Sequence, residues 1–173
     1  MTVYHPEEWH EFFVMMGHSS AVLAGLVFVA MELNAALLFK DEAHRGRAFG
    51  TISGFMVILA LCAFGLMGYQ TNVSLGVAWL ITATIGLGIF VHGFIRQPLE
   101  SRQGQFGVTP LRTAMGVLSH AGQIIGAGLF IAGHEIGIYI SAVFMVLTTV
   151  YLVSGAWLLI RDVTFHSKKK SRT

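Results

Sequence analysis

Residues 75–95 read LGVAWLITATIGLGIFVHGFI and contain no Asp, Glu, Lys or Arg. About 20 apolar residues, at ~1.5 Å rise each, match the ~30 Å hydrocarbon core of a bilayer, so this stretch reads as a membrane-spanning helix. A transmembrane strand would alternate apolar and polar residues over a shorter length, so the continuous run excludes a β-barrel. Working outward from it, four more stretches have the same character. The spans are expected at residues 12–39, 49–69, 75–95, 113–132 and 136–160. Residues 1–11 form an external interfacial segment, and 161–173 a basic cytoplasmic tail ending in Lys168-Lys169-Lys170-Ser171-Arg172. The fold class is an all-α integral membrane protein, a bundle of five transmembrane helices.

The intervening segments punctuate this pattern. The first loop, residues 40–47, is charged, and Gln70-Thr71-Asn72 makes a short polar turn. Residues 96–112 carry the breakers Pro98, Gly104, Gly107 and Pro110. Only Gly133-His134-Glu135 separates spans four and five, which predicts a tight antiparallel hairpin.

Composition supports the same class. Of 173 residues, 54% are hydrophobic and 12% charged, against roughly 45–50% and about 25% in ordinary globular chains. So few charges do not cover the surface of a soluble domain this size. A water-soluble enzyme, a nucleic-acid module and a secreted disulfide domain are excluded. The single cysteine, Cys62, has no internal partner and reads as a buried spectator. Glu7, Glu8 and Glu11, with no Lys or Arg before residue 40, are the opposite of the basic start of a signal peptide.

Charge sets the orientation. Lys40, Arg45 and Arg47 fall in the first loop, Arg96, Arg102 and Arg112 in the third, and the other five basic residues in the tail. With five spans these segments share one side, which the positive-inside tendency makes cytoplasmic, leaving the N-terminus outside. Tyr4, Trp9, Phe12, Phe13, Tyr69, Trp79 and Tyr139 would then line the outer interface and Trp157 the inner one. The basic tail reads as a topology and lipid anchor.

Helices in lipid gain nothing hydrophobic by touching, so small residues that permit close approach mark packing faces. Gly17, Ala21 and Gly25 recur at four-residue steps in span one, Thr84, Gly88 and His92 in span three, and Gly122 and Gly126 in span four. Ionisable groups in hydrocarbon are costly and should face the bundle interior. His18 and Glu32 lie fourteen residues apart, with Gly25 halfway. That spacing puts all three on one face, expected to look inward, with Asn34 close by. His92 in span three, and His120 with Gln123 in span four, complete an expected intramembrane polar cluster.

Three readings of that cluster stand. The leading one is hydrogen-bonded glue between helices. The second is a proton or cation pathway with His18, Glu32, His92 and His120 as stations. The third is haem b held between His92 and His120. No metal template is recognised in the outer lip, where His5 and His10 stand among Glu7, Glu8 and Glu11. No catalytic set appears either: Ser19 and Ser20 follow His18 without a nucleophile-elbow motif, and Gly104 and Gly107 lack a phosphate-loop signature.

The stretch Trp9-His10-Glu11-Phe12-Phe13, then Gly17, Ser20-Ala21, Ala24-Gly25-Leu26-Val27-Phe28-Val29-Ala30 and Leu33-Asn34, resembles the first helix of a family of small bacterial multi-span membrane proteins. Some members of that family are labelled modulators of a membrane-anchored AAA protease. The resemblance covers the first span, and the others by hydropathy alone. His18 and Glu32 depart from it, standing where small or hydroxyl residues are expected. It implies a bacterial inner-membrane protein and carries no activity or site residues. The resulting expectation is a non-enzymatic accessory or regulatory subunit without cofactor. It would work through helix packing with itself or other membrane subunits in the lipid bilayer, with no nucleic-acid partner.

Overall fold

Local chemistry starts and stops the helices. The computed structural model describes residues 4–35, 42–95 and 110–170, with side chains described for 4–35, 45–92 and 113–161. Five helices appear among them: α1 (Pro6–Leu33), α2 (Glu42–Leu66), α3 (Asn72–Ile95), α4 (Pro110–Ile131) and α5 (Ile136–Lys170). Pro6 and Pro110 sit at helix starts, where the missing N–H costs nothing. Thr71 and Ser74 cap α3 reciprocally: the Ser74 N–H donates to Thr71 Oγ1 (3.1 Å) and the Thr71 N–H to Ser74 Oγ (3.0 Å). At the end of α4, Gly133 takes φ +86°. Its N–H donates to the Phe130 carbonyl and that of His134 to the Leu129 carbonyl, each 3.0 Å. This paired stop motif needs the left-handed conformation that glycine adopts at no steric cost, and it turns the chain directly into α5.

Each helix is long and apolar enough to cross a membrane, and no strand occurs among the described residues. Several boundaries differ from the hydropathy reading. Helix α1 begins at Pro6, inside the expected external segment. Its last described turn, at Asn34, lies well short of residue 39; residues 36–41 lie outside the described residues. Helix α2 starts within the charged loop, and α5 runs on to Lys170, through most of the expected tail. Hydropathy reports where lipid would be, whereas backbone hydrogen bonding continues past that limit. Most of the loop 96–112 lies outside the described residues.

The helices alternate in direction. α2, α3, α4 and α5 form a ring of four: α2 packs on α3, α3 on α4, α4 on α5 and α5 back on α2. α1 lies outside the ring, along α2, with a minor contact to α5. Ser20 Oγ donates to the Phe55 carbonyl (2.7 Å), fastening α1 to α2 at mid-length. Above it, Phe13, Trp79 and Phe130 are buried in a row, Phe13 edge-on to Trp79 and Trp79 stacked on Phe130, with centroids 5.7 Å and 6.0 Å apart. Trp79 is therefore core rather than interfacial, and its indole N–H donates to the Leu61 carbonyl (2.9 Å). Tyr4 folds over this end of the bundle, its hydroxyl donating to the Gly65 carbonyl (2.7 Å). Burial, reinforced by Glu7, holds its phenol above the ordinary range, so it remains a donor.

Glycines set the closest approaches. A methyl placed at Gly126 would stand 2.9 Å from both the Gly137 carbonyl oxygen and the Ser141 nitrogen of α5, and Gly122 lies flat against Phe144. The outward surface is apolar by contrast. Only 28–44% of the core window of each helix is fully buried, and the rest is half-buried or exposed. Leu26, Phe28 and Val29 of α1, Ile81 and Ile85 of α3, and Val143 and Val150 of α5 are among the exposed side chains. An apolar exterior this extensive is foreign to a water-soluble monomer.

The α4–α5 joint yields a test. Gly126→Ala is expected to lower the unfolding midpoint in detergent, because backbone atoms cannot yield to the new methyl; overpacking of this kind costs about 1–3 kcal/mol. Gly128→Ala, where nothing lies within 4 Å, should be neutral or slightly stabilising. Equal midpoints for the two variants would contradict the α4–α5 contact.

Candidate functional site

Polar side chains within the helices are closed mainly on their own helix. Thr51 Oγ1 donates to the Arg47 carbonyl, Thr82 to Ala78, Ser119 to Met115, Thr148 to Phe144 and Thr149 to Met145, at 2.6–2.9 Å. Back-bonding to the carbonyl four residues earlier satisfies a hydroxyl without any neighbour. Each hydroxyl hydrogen in this set is already committed, so these groups do not form a donor chain from one end of the bundle to the other.

Two of the residues singled out from the sequence do lie inside. Gln123 is buried, and its Nε2 donates to the Ser141 carbonyl of α5 (3.1 Å), a bond between helices. His120 is half-buried between α3 and α4. Its Nδ1 lies 2.8 Å from the Gly116 carbonyl, which fixes that nitrogen as the protonated one. Its ring stacks on Phe90 with centroids 5.5 Å apart and a 27° tilt, and Tyr151 stands edge-on to Phe90 from α5. Gly86 makes the space: a methyl there would meet Val57 of α2 at 3.2 Å and the His120 ring at 3.4 Å. Sequence reading missed Phe90, Gly86, Gly116 and Tyr151 as the walls of this niche. The signal was present in the glycines, since Gly86 in α3 and Gly116 in α4 each make room for a ring.

The remaining members of the expected cluster do not join it. His18, Glu32 and His92 are exposed on the outside of the bundle, and Asn34 is half-buried with its Nδ2 on the Ala30 carbonyl (2.8 Å). The expectation that the His18–Gly25–Glu32 face looks inward is corrected. The buried face of α1 is Phe13, Met16, Gly17, Ser20, Ala24, Val27 and Met31, and the polar stripe lies about a quarter of a turn or more round from it at 3.6 residues per turn. Ala21 is exposed, and Gly25 and Gly88 have nothing within 4 Å. Of the expected packing residues, Gly17, Gly122 and Gly126 serve within the bundle, whereas Ala21, Gly25 and Gly88 do not. Depth changes too. Glu32 falls in the last turn of α1 and His92 in that of α3, leaving His18 as the ionisable group near the middle of an outward face. His92 and His120 are not an opposed pair: one points out, and the other is packed against Phe90 with one nitrogen engaged.

No group of three or more metal-ligating side chains occurs among the described residues. At the Tyr4 end, Trp9 meets Tyr139 of α5 at 4.9 Å and Phe12 at 5.9 Å, closing the bundle with aromatic rings.

The inter-helix amide predicts a measurable effect. Gln123→Leu keeps the volume but leaves the Ser141 carbonyl without this donor. It should lower stability by about 1 kcal/mol, within the range of intramembrane hydrogen bonds, read as a reduced thermal midpoint in detergent. Gln123→Met, which has no donor at all, should do no better. An unchanged midpoint for both would remove Gln123 from the set of interhelical ties. No family model, no curated protein and no solved structure matches this chain.

Proposed function

We propose that the chain is a multi-pass protein of a bacterial inner membrane, with its N-terminus outside and its C-terminus in the cytoplasm. In this reading it acts as a non-enzymatic accessory or regulatory subunit that associates sideways with other membrane helices. The observation that carries it is the division of polar residues. Inside, most are closed on protein carbonyls, with the Ser141 hydroxyl an exception; outside, α1 presents His18 beside Ala21 and Gly25 on a face that packs against nothing in the chain. An ionisable side chain on a lipid-facing surface costs at least ~2.5 kcal/mol on insertion scales, and small neighbours let another backbone come close. Such a face is built to be covered.

The orientation rests on the basic residues. Arg45, Arg47 and Arg161 lie at the end away from Tyr4, the end to which the remaining basic segments connect in sequence. A proton or cation pathway is less well supported. Its stations point in different directions, and aromatic rings close the Tyr4 end. Haem ligation has no opposed histidine pair to support it.

Two measurements test this reading. In a Cys62→Ser background, a cysteine at Thr71 should react with an impermeant reagent applied outside, and one at Gly46 only after permeabilisation. Labelling of both from one side overturns the topology. Reconstituted into liposomes, the protein should conduct no protons beyond the leak of empty vesicles. A flux lost in His120→Ala would overturn the accessory role and establish a pathway instead.

A further inference from the structure

Away from the helix ends, the outward surface carries few polar side chains: His18 and Ser19 on α1, Thr84 on α3 and Ser154 on α5. The hydroxyls of Thr84 and Ser154 already donate to their own helices, to Leu80 (2.7 Å) and Tyr151 (2.8 Å), so each oxygen offers an acceptor. His18 is the opposite case. A neutral imidazole always carries one N–H, and in hydrocarbon that N–H requires an acceptor from outside the helix face it stands on.

Two independent ties fix the level of these groups. Phe13 of α1 and Trp79 of α3 are in ring contact at 5.7 Å. Seven residues further along each helix, Ser20 bonds the Phe55 carbonyl and Gly86 abuts Val57, so both meet the same turn of α2. α1 and α3 run the same way, both antiparallel to α2. His18 and Thr84, each five residues beyond the first tie, therefore stand at one level. Gly88 then falls between the levels of Ala21 and Gly25. Ser154 does not match. Leu152 of α5 packs on Gly54, nearer the basic end, which puts Ser154 roughly 7–8 Å below His18 at ~1.5 Å per residue. Within one chain α1 does not pack along α3, so donor and acceptor can meet only between copies.

We infer that α1 of one copy packs along α3 of a second copy, with His18 donating a hydrogen bond to Thr84 and with Ala21 and Gly25 set against Gly88. This rests on the membrane reading above, because it is lipid that makes the exposed imidazole costly and gives all copies one orientation. The occupant is a second copy because this chain itself carries the matching acceptor. That acceptor lies at the required depth, on a parallel helix, beside a glycine with open space around it. The joint joins unlike surfaces, α1 to α3, rather than α1 to itself.

The test uses the full chain in native membranes, in a Cys62→Ser background. Ala21→Cys and Gly88→Cys chains are co-expressed and oxidised. A disulfide between the two different chains is expected. A predominant Ala21→Cys homodimer, or no cross-link at all, overturns the proposal. His18→Ala and Thr84→Val, added singly, should each reduce the cross-link about three- to twentyfold, the span that intramembrane hydrogen bonds give. His18→Gln and Thr84→Ser, which keep a donor and an acceptor, should restore it. An undiminished cross-link in Thr84→Val rejects the hydrogen bond. Failure of the membrane reading is separable, since it appears in the Thr71 and Gly46 labelling pattern before any cross-linking is done.

Discussion

A polar group enclosed by apolar atoms must find its partner in protein, and this constraint governs how the bundle is put together. The helix backbone meets it alone. Most hydroxyls meet it by bending back to the carbonyl one turn earlier, which makes them silent toward their neighbours. Among the described residues, side chains that do join one element to another by hydrogen bonds include Ser20 to α2, Trp79 to α2, Gln123 to α5, and Tyr4 to the end of α2. The rest of the assembly is shape. Because dispersion contacts fall off steeply with distance, shape is decided where backbones come nearest, at glycine.

That division explains why the helices are not equivalent. α4 and α5 leave the Gly133 turn already side by side. Gly126 and Gly137 then bring their backbones together, and Gly122 receives the Phe144 ring. Their geometry is set over several turns by atoms that cannot move. α1 is held differently, by one hydroxyl bond at mid-length, the Gly17–Cys62 approach, ring contacts of Trp9 and Phe13 near its start and the Tyr4 strap. It faces mainly α2, with a little of α5 and the Phe13–Trp79 contact to α3, and its opposite side is left open. An element attached along one edge, with a glycine and an imidazole on its free side, is the natural place for the bundle to meet something else.

How far the sequence could be read follows from the same physics. The number of helices was legible because continuous apolar runs have one stable solution in lipid. The Gly133 hairpin was legible because three residues leave no room for another path. The facing of each helix was not. Inside a span the residues are apolar all round, so periodicity carries no inward direction, and polarity had to stand in for it. For Gln123 and His120 that substitution was sound. For His18, Glu32 and His92 it was not, because a polar residue near a helix end reaches the headgroup zone, and one on an outer face can be completed by another molecule. Small residues share the ambiguity: Gly17 and Gly25 are one step apart in the same repeat, yet Gly17 touches Cys62 while Gly25 touches nothing.

The two central histidines show what that ambiguity means for function. His120 has its N–H committed to Gly116, one ring face on Phe90, and a glycine carved out to hold it. These contacts fix the ring and its tautomer, so His120 has little freedom to turn toward a new partner. His18 has no such contacts to lose, and whatever bonds it gains the full benefit of removing an unsatisfied donor from lipid. The free energy available for a change of state therefore lies on the outer face of α1 rather than in the bundle's interior. On the proposed reading such a protein works at its surface, and its packed core holds that surface in place.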